Sequence, residues 1–280
     1  MAPLDLSGAV EMATCSHAGQ MRDNNEDSVL ANPRLGLAVL ADGMGGYNAG
    51  EVASGMATAV LAKELEQAFA RRAPHEVDAA GRHWASEALV DVIERTNAAI
   101  FQAAASQAGC AGMGTTLVAA LFFNNRVAVA HVGDSRLYRL RDGAMSQLTR
   151  DHSFLQEQID SGAITPEQAR FSRNKNLVTR ALGVEPAVAV EVHEYEALPG
   201  DVYLLCSDGL NDMVGDEDME LALVSLSANL PLCAEQLVQM ANDNGGRDNV
   251  SVILAKVIQP FVAVVPPAGW LDRINSWFAK

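Results

Sequence analysis

LGLAVLADGMGG, residues 35–46, runs from seven apolar or small residues straight into an aspartate and a group of glycines. An unbroken apolar run of this length, closed by Asp42-Gly43 and Gly45-Gly46, predicts a buried strand that ends in a tight turn. Residues 51–70 follow, rich in alanine, leucine and glutamate with apolar positions at helical spacing, and a second alanine-rich helix is expected over 83–107. Strands then return at 115–123, 126–132, 136–141 and near 145–148. Asn124-Asn125 and Asp142-Gly143 lie between them as two-residue hairpin turns. Residues 127–132 are apolar on both alternating faces, as a strand covered on both sides must be. Further strands fit 187–195, 202–206 and 250–258, with a helix around 234–241 before the last. Meanders of hairpins flanked by helix pairs point to an α+β chain of layered sheets with helices outside.

Composition narrows the function. Of 280 residues, 49% are hydrophobic and 20% charged, so a packed interior is expected. Acidic residues outnumber basic ones 35 to 20, for a formal net charge of −15. Such a field argues against nucleic acid and anionic membranes as partners. It also repels phosphorylated molecules at long range, so a phosphate site here has to create its own local positive potential, as bound metal ions would. Cys15, Cys110, Cys206 and Cys233 are far apart with no C-x-x-C pair, which reads as reduced thiols and a cytoplasmic location. The first ten residues lack the features of a signal peptide. No stretch approaches the roughly 20 apolar residues that span a bilayer.

Four aspartates sit where an expected strand meets a turn: Asp42 after LGLAVLA, Asp134 after VAVAHVG, Asp208 after VYLLCS, and Asp248 before NVSVILAKV. A lone aspartate at a strand end is usually a turn residue. Four in similar settings, two of them in Asp-Gly steps, can converge at one edge of a sheet core. Like charges that close are destabilising unless protonated or bound to cations. Oxygen-only ligands suit hard cations such as magnesium or manganese. Glycine after an aspartate lets backbone approach closely, so that a carbonyl can serve as a further ligand.

The chain resembles the metal-dependent, type 2C protein phosphatases in their bacterial form. The matching residues are Arg22-Asp23-Asn24-Asn25-Glu26-Asp27, Asp42-Gly43-Met44-Gly45-Gly46, Gly114-Thr115-Thr116, Gly133-Asp134-Ser135-Arg136, Asp151-His152-Ser153, Thr179-Arg180-Ala181-Leu182-Gly183, Ser207-Asp208-Gly209-Leu210 and Asp248-Asn249-Val250. They occur in order through nearly the whole chain. The resemblance implies a four-layer α-β-β-α sandwich, a central antiparallel β-sandwich flanked by helical pairs, with residues 1–259 as the catalytic domain. It implies two tightly bound Mn2+ or Mg2+ ions and a weaker third. Asp42 would bridge two of them, with the Gly43 carbonyl as another ligand. Asp208 and Asp248 would complete the first metal's shell, Glu26 would lie near the second, and Asp134 would help hold the third. Arg22 would grip the phosphate. The implied reaction is hydrolysis of phosphoserine and phosphothreonine in proteins, the products of a cognate serine/threonine kinase. Water activated between the cations attacks in line, without a phosphoenzyme. Where eukaryotic members carry a histidine after the first Asp-Gly, this chain has Met44, which leaves the general acid unassigned; a metal-held water is the candidate.

Two segments stand apart. Residues 152–176 look helical and polar, with Ser153-x-x-Gln156 and Thr165-Pro166-x-Gln168 as capping boxes, and are expected to form a flap inserted in the sheet scaffold. The flap closes on Arg170, Arg173 and Lys175, and Arg173 and Lys175 are candidates for substrate contact. The tail, 260–280, carries Trp270, Leu271, Ile274, Trp277 and Phe278 on one helical face, either docked on its own domain or offered to a partner. His17, His131 and His152 are read as structural residues. A cysteine-dependent phosphatase is excluded because Cys15 and Arg22 lack the required spacing and phosphate cradle. A binding module that has lost its chemistry would have no reason to keep Asp42, Asp208, Asp248 and Arg22 together. A phosphatase of small metabolites is the remaining alternative, and the basic flap favours protein substrates over it.

Overall fold

The computed structural model describes residues 5–46, 49–165, 168 and 177–262. Arg170, Arg173, Lys175 and the expected tail helix lie outside the described residues. Among the described residues the strands are β1 (Val10–His17), β2 (Asp27–Asn32), β3 (Leu37–Met44), β4 (Gly114–Thr115), β5 (Leu117–Phe123), β6 (Arg126–Val132), β7 (Arg136–Arg141), β8 (Ala144–Gln147), β9 (Glu191–Glu196), β10 (Val202–Cys206) and β11 (Val250–Val257). The helices are α1 (Ala49–Arg71), α2 (Trp84–Ser106), α3 (Phe154–Asp160), α4 (Asp208–Asn211), α5 (Asp216–Leu226) and α6 (Leu230–Asp243).

The apolar run at 37–41 is wholly buried because β3 is covered on both faces. Leu37, Val39 and Ala41 pack against α1 and α2, while Ala38 and Leu40 point into the space between two sheets. The same alternation holds in β11: Val250, Val252 and Leu254 face α5 and α6, and Ile253, Ala255 and Val257 face the other sheet. One sheet has the order β1-β11-β10-β7-β8 and the other β2-β3-β5-β6-β9, with β4 added to β3. All their pairings are antiparallel. Three apolar layers therefore lie between four layers of secondary structure, the α-β-β-α sandwich expected. Among the described residues no helix is long and apolar enough to cross a membrane.

Local chemistry accounts for the connections. Asn124, Asn125 and Asp142 all have positive φ, at 45°, 56° and 52°. Such values suit the twist of two-residue hairpins, and asparagine and aspartate tolerate them. Ser153 caps α3 by accepting from the Gln156 N–H, and Asn229 caps α6 by accepting from the Leu232 N–H. Thr165 and Gln168 exchange the two bonds of the second capping box.

Several boundaries differ from the sequence reading. Asp42, Gly43 and Met44 belong to β3, because Gly43 and Met44 pair with Thr115 and Gly114 of β4. The strand expected at 115–123 is broken at Thr116. The strand expected from 187 begins at Glu191, and the helix expected at 234–241 runs over Leu230–Asp243. Helices α4 and α5 were not anticipated.

Candidate metal centre

Strands β2 and β3 place Asp27 directly opposite Asp42. Like charges in that register repel, so the backbone needs other support there, and the Gly114-Thr115-Thr116 segment supplies it. The Thr116 N–H and the Thr115 hydroxyl both donate to the Asp42 carbonyl, at 2.9 and 2.8 Å. The Thr116 hydroxyl accepts from the Asp42 N–H at 3.1 Å and lies 2.7 Å from the Ser135 hydroxyl. Gly43 has room for no side chain: a Cβ there would come within 2.3 Å of the Gly50 carbonyl and 2.5 Å of the Glu26 carbonyl.

Asp208 opens α4, and Asp248 precedes β11. These two segments touch because residue 209 is glycine; a Cβ would stand 1.9 Å from the Asn249 carbonyl oxygen. Asn249 ties the Arg22–Glu26 loop to β11. Its amide donates to the Ala18 and Asn24 carbonyls at 3.0 and 2.8 Å, and its oxygen accepts from the Glu26 N–H at 2.8 Å. The Ser207 hydroxyl donates to Asp27 at 2.8 Å.

Glu26, Asp42, Gly43, Asp134, Asp208, Asp248 and Arg22 all line one pocket of about 260 Å³, together with Met44, Thr116 and Val178. Every candidate metal ligand is thus brought together with the candidate phosphate-binding arginine. Arg22 donates to Asp248 at 2.7 Å from the exposed rim, and that bond and charge hold its guanidinium protonated. The flap candidates Arg173 and Lys175 lie outside the described residues.

The electrostatics are those of crowded carboxylates. Burial pushes Asp42 well above the usual carboxylate range, and the charges of Asp27, Asp208, Asp134 and Asp248 push it further. Asp208 is raised in the same way, by burial first and then by Asp134 and Asp212. Burial raises Asp134 to about 6, with Asp151 adding to it. Asp27 is also raised to about 6, mainly by burial, against hydrogen bonds from Ser251 and Ser207 that oppose the rise. Glu26 Oε1 and Asp27 Oδ1 are buried with no hydrogen-bond partner among the described residues. Orphaned buried carboxylate oxygens of this kind are costly unless a cation meets them. An all-oxygen donor set of five carboxylates and a carbonyl fits magnesium or manganese.

A larger cleft of about 880 Å³ adjoins the pocket and shares Asp134 and Asp208 with it. α3 forms one wall, and Asp212, Asp216, Glu217 and Asp218 line the other. Arg136 stands in this cleft but is committed to Asp151, with bonds of 2.7 to 3.1 Å. Asp27, Thr116, Ser207 and Asn249 had no role in the sequence reading. All four stand inside quoted motifs, and Asp27, Ser207 and Asn249 adjoin residues that had one, which was the available signal.

A family model described as protein phosphatase 2C matches residues 14–254. The chain belongs to the protein phosphatase 2C family. It is 42% identical over 252 residues to the serine/threonine protein phosphatase PstP of Mycobacterium tuberculosis, a match covering 88% of this chain and 45% of PstP. The chain therefore spans about half the length of that relative. It is 39% identical over 241 residues to the serine/threonine phosphatase stp of Listeria innocua, covering 85% of this chain and 92% of stp. The crystal structure of the catalytic domain of PstP in complex with two manganese ions superposes with a TM-score of 0.77 at 40% identity, covering 90% of this chain and 99% of that one. The two-sheet sandwich flanked by helices is thus the phosphatase 2C fold.

Proposed function

We propose that this chain is a divalent-metal-dependent serine/threonine phosphoprotein phosphatase, and that the 260 Å³ pocket is its active site. The observation that carries this is the meeting of five acidic residues, Gly43 and Arg22 around one cavity. Asp42, Asp208 and Asp248 would hold a first ion, Asp42, Gly43 and Glu26 a second, and Asp134 with Asp208 a weaker third. Bound divalent cations supply Lewis-acid neutralisation of phosphate charge and acidification of water. Manganese in the PstP structure and the oxygen donors here favour Mn2+ or Mg2+.

The protein's own groups do the rest. Arg22, already aimed at the pocket by Asp248, turns its planar fork to the phosphate oxygens. Asp27, anchored by Ser207, adds negative charge beside Asp42. Water attacks phosphorus in line and no phosphoenzyme forms. Among the described lining residues there is no cysteine or histidine, and the Thr116 hydroxyl is committed to Asp42 and Ser135. Met44 offers no proton, so we assign protonation of the leaving alkoxide to water.

The 880 Å³ cleft beside the pocket is large enough to receive polypeptide flanking the phosphorylated residue, which favours proteins over small metabolites as substrates. Arg173 and Lys175 are assigned to that substrate, which a serine/threonine kinase would supply. Four free cysteines suit the reducing cytoplasm. The test is phosphate release from a phosphothreonine peptide with Mn2+, with chelator, and by Asp208→Ala. Release that needs Mn2+ and is lost in the variant supports the proposal. No release from folded, Mn2+-supplied protein would leave a binding module.

A further inference from the structure

His152 is 6% exposed and has no place in the chemistry above. Its ring stacks on His131 at 4.6 Å between centroids, and Glu191 stands at its Nε2 edge. The ligand atoms of His131, His152 and Glu191 all lie within 4.8 Å of one another, close enough for a metal ion. The hydrogen bonds argue against one. His152 Nδ1 accepts the Gly133 N–H at 3.1 Å. A neutral imidazole that accepts at Nδ1 carries its proton on Nε2. That nitrogen faces a Glu191 oxygen at 3.3 Å, to which it donates, and Arg180 Nη1 also lies 3.3 Å away. A cation there would displace a proton and face a guanidinium. Burial lowers the pKa of both histidines, which favours the neutral form, and the Gly133 N–H bond selects its tautomer.

The bonds of His152 lead elsewhere. Besides its ring bond, its backbone N–H donates to the Gly133 carbonyl at 2.9 Å, so that one residue grips Gly133 at both ends. Gly133 has φ +108°, and a Cβ there would lie 2.7 Å from Thr116, the residue that clamps Asp42. Asp134 is next in the chain. On its other side, the His152 carbonyl accepts from the Thr179 N–H at 2.8 Å, and the Phe154 N–H donates to the Leu177 carbonyl at 2.9 Å. Ser153 bridges Val178, which lines the metal pocket. His152 thus joins three things: the turn that presents Asp134, the start of the flap segment and the chain that returns from it.

We propose that His152 is a positioning residue whose Nδ1 acceptor holds the Gly133–Asp134 turn against the chain segment that its own backbone ties to both ends of the flap. The inference deepens the phosphatase assignment, and its effect on turnover rests on that assignment. Two variants separate the ring's edges. His152→Asn keeps an oxygen near the Nδ1 position and can still accept from Gly133. His152→Gln places its oxygen near Nε2 and cannot. Fine positioning contacts around metal ligands are typically worth about 10- to 100-fold in affinity or activity. We expect His152→Asn to stay within about threefold of the native protein in kcat, and His152→Gln to lose about 10- to 100-fold with KM little changed. Amide exchange at Gly133 should be faster only in His152→Gln. Equal exchange and equal turnover in the two variants would overturn the proposal. Nitrogen NMR of the native protein tests it without any variant: protonated Nδ1 on His152 would overturn it, and protonated Nε2 with bare Nδ1 is the expected result. A native protein that releases no phosphate while showing that tautomer would contradict the phosphatase assignment and leave the Gly133 clasp standing.

Discussion

Asp27 and Asp42 face each other across two paired strands, and no pair of side chains says more about this pocket. Two buried carboxylates in that register are unfavourable without a proton or a cation between them. Asp27 is held by the Ser207 hydroxyl at 2.8 Å while its other oxygen lacks a hydrogen-bond partner among the described residues. We assign it the role of adding negative field beside the ligands. Asp27→Ala should weaken Mn2+ binding by about 10- to 100-fold, read by calorimetric titration, with the fold retained. Unchanged affinity would remove Asp27 from the account. Asp42, Asp208 and Asp248 were legible in the sequence because each adjoins an apolar run. Asp27 was not, since DSVLAN in β2 is only half-buried and the carboxylate matters through its neighbour across the sheet. Asn249 was hidden for a similar reason: its three bonds reach the 18–26 loop, more than 220 residues away in sequence.

Elements are held at their ends by a few charged contacts. Arg141 at the end of β7 donates to Asp201 through Nε at 2.7 Å and Nη2 at 2.6 Å, pinning β7 to the chain that enters β10. Asp201 is 2% exposed and also accepts from Tyr203 and the Leu198 N–H. Truncating the part-exposed Arg141 removes its charge-assisted bonds to Asp201 but leaves those from Tyr203 and Leu198, at a cost of about 1.5–3 kcal/mol. Arg141→Ala should therefore lower unfolding free energy by about that amount in urea titrations, without changing Mn2+ affinity. The strands of this region were readable because their apolar alternation is local. The path of β3 beyond Ala41 was not, because Gly43 and Met44 become strand only by pairing with Thr115 and Gly114, some 70 residues on. Helix α5 was missed because its first turn, Asp216-Glu217-Asp218, reads as a polar loop until its N-terminal dipole is considered.

Across the whole molecule, a chain of net charge −15 gathers its most crowded carboxylates at the edge of its sandwich. Without cations, Asp27 and Asp134 titrate near 6 in the folded state, above the ordinary value of about 3.9. A raised carboxylate contributes stability that is fully present below the unfolded pKa and is lost as pH rises through the folded one. Metal-free protein should lose stability from these groups between about pH 4 and pH 6, and Mn2+ should restore it by taking the place of the protons. The rise in melting temperature on adding Mn2+ should accordingly be larger at pH 7.5 than at pH 5.5. An equal rise at both would mean that the cations bind away from these groups. The central claim, that this carboxylate pocket is a paired-cation hydrolytic site, is tested most directly by anomalous diffraction from crystals grown with Mn2+. We predict two peaks about 3.5–4 Å apart, bridged by Asp42 and flanked by Asp208, Asp248 and the Gly43 carbonyl. Peaks placed elsewhere, or none in the pocket at saturating Mn2+, would contradict the account.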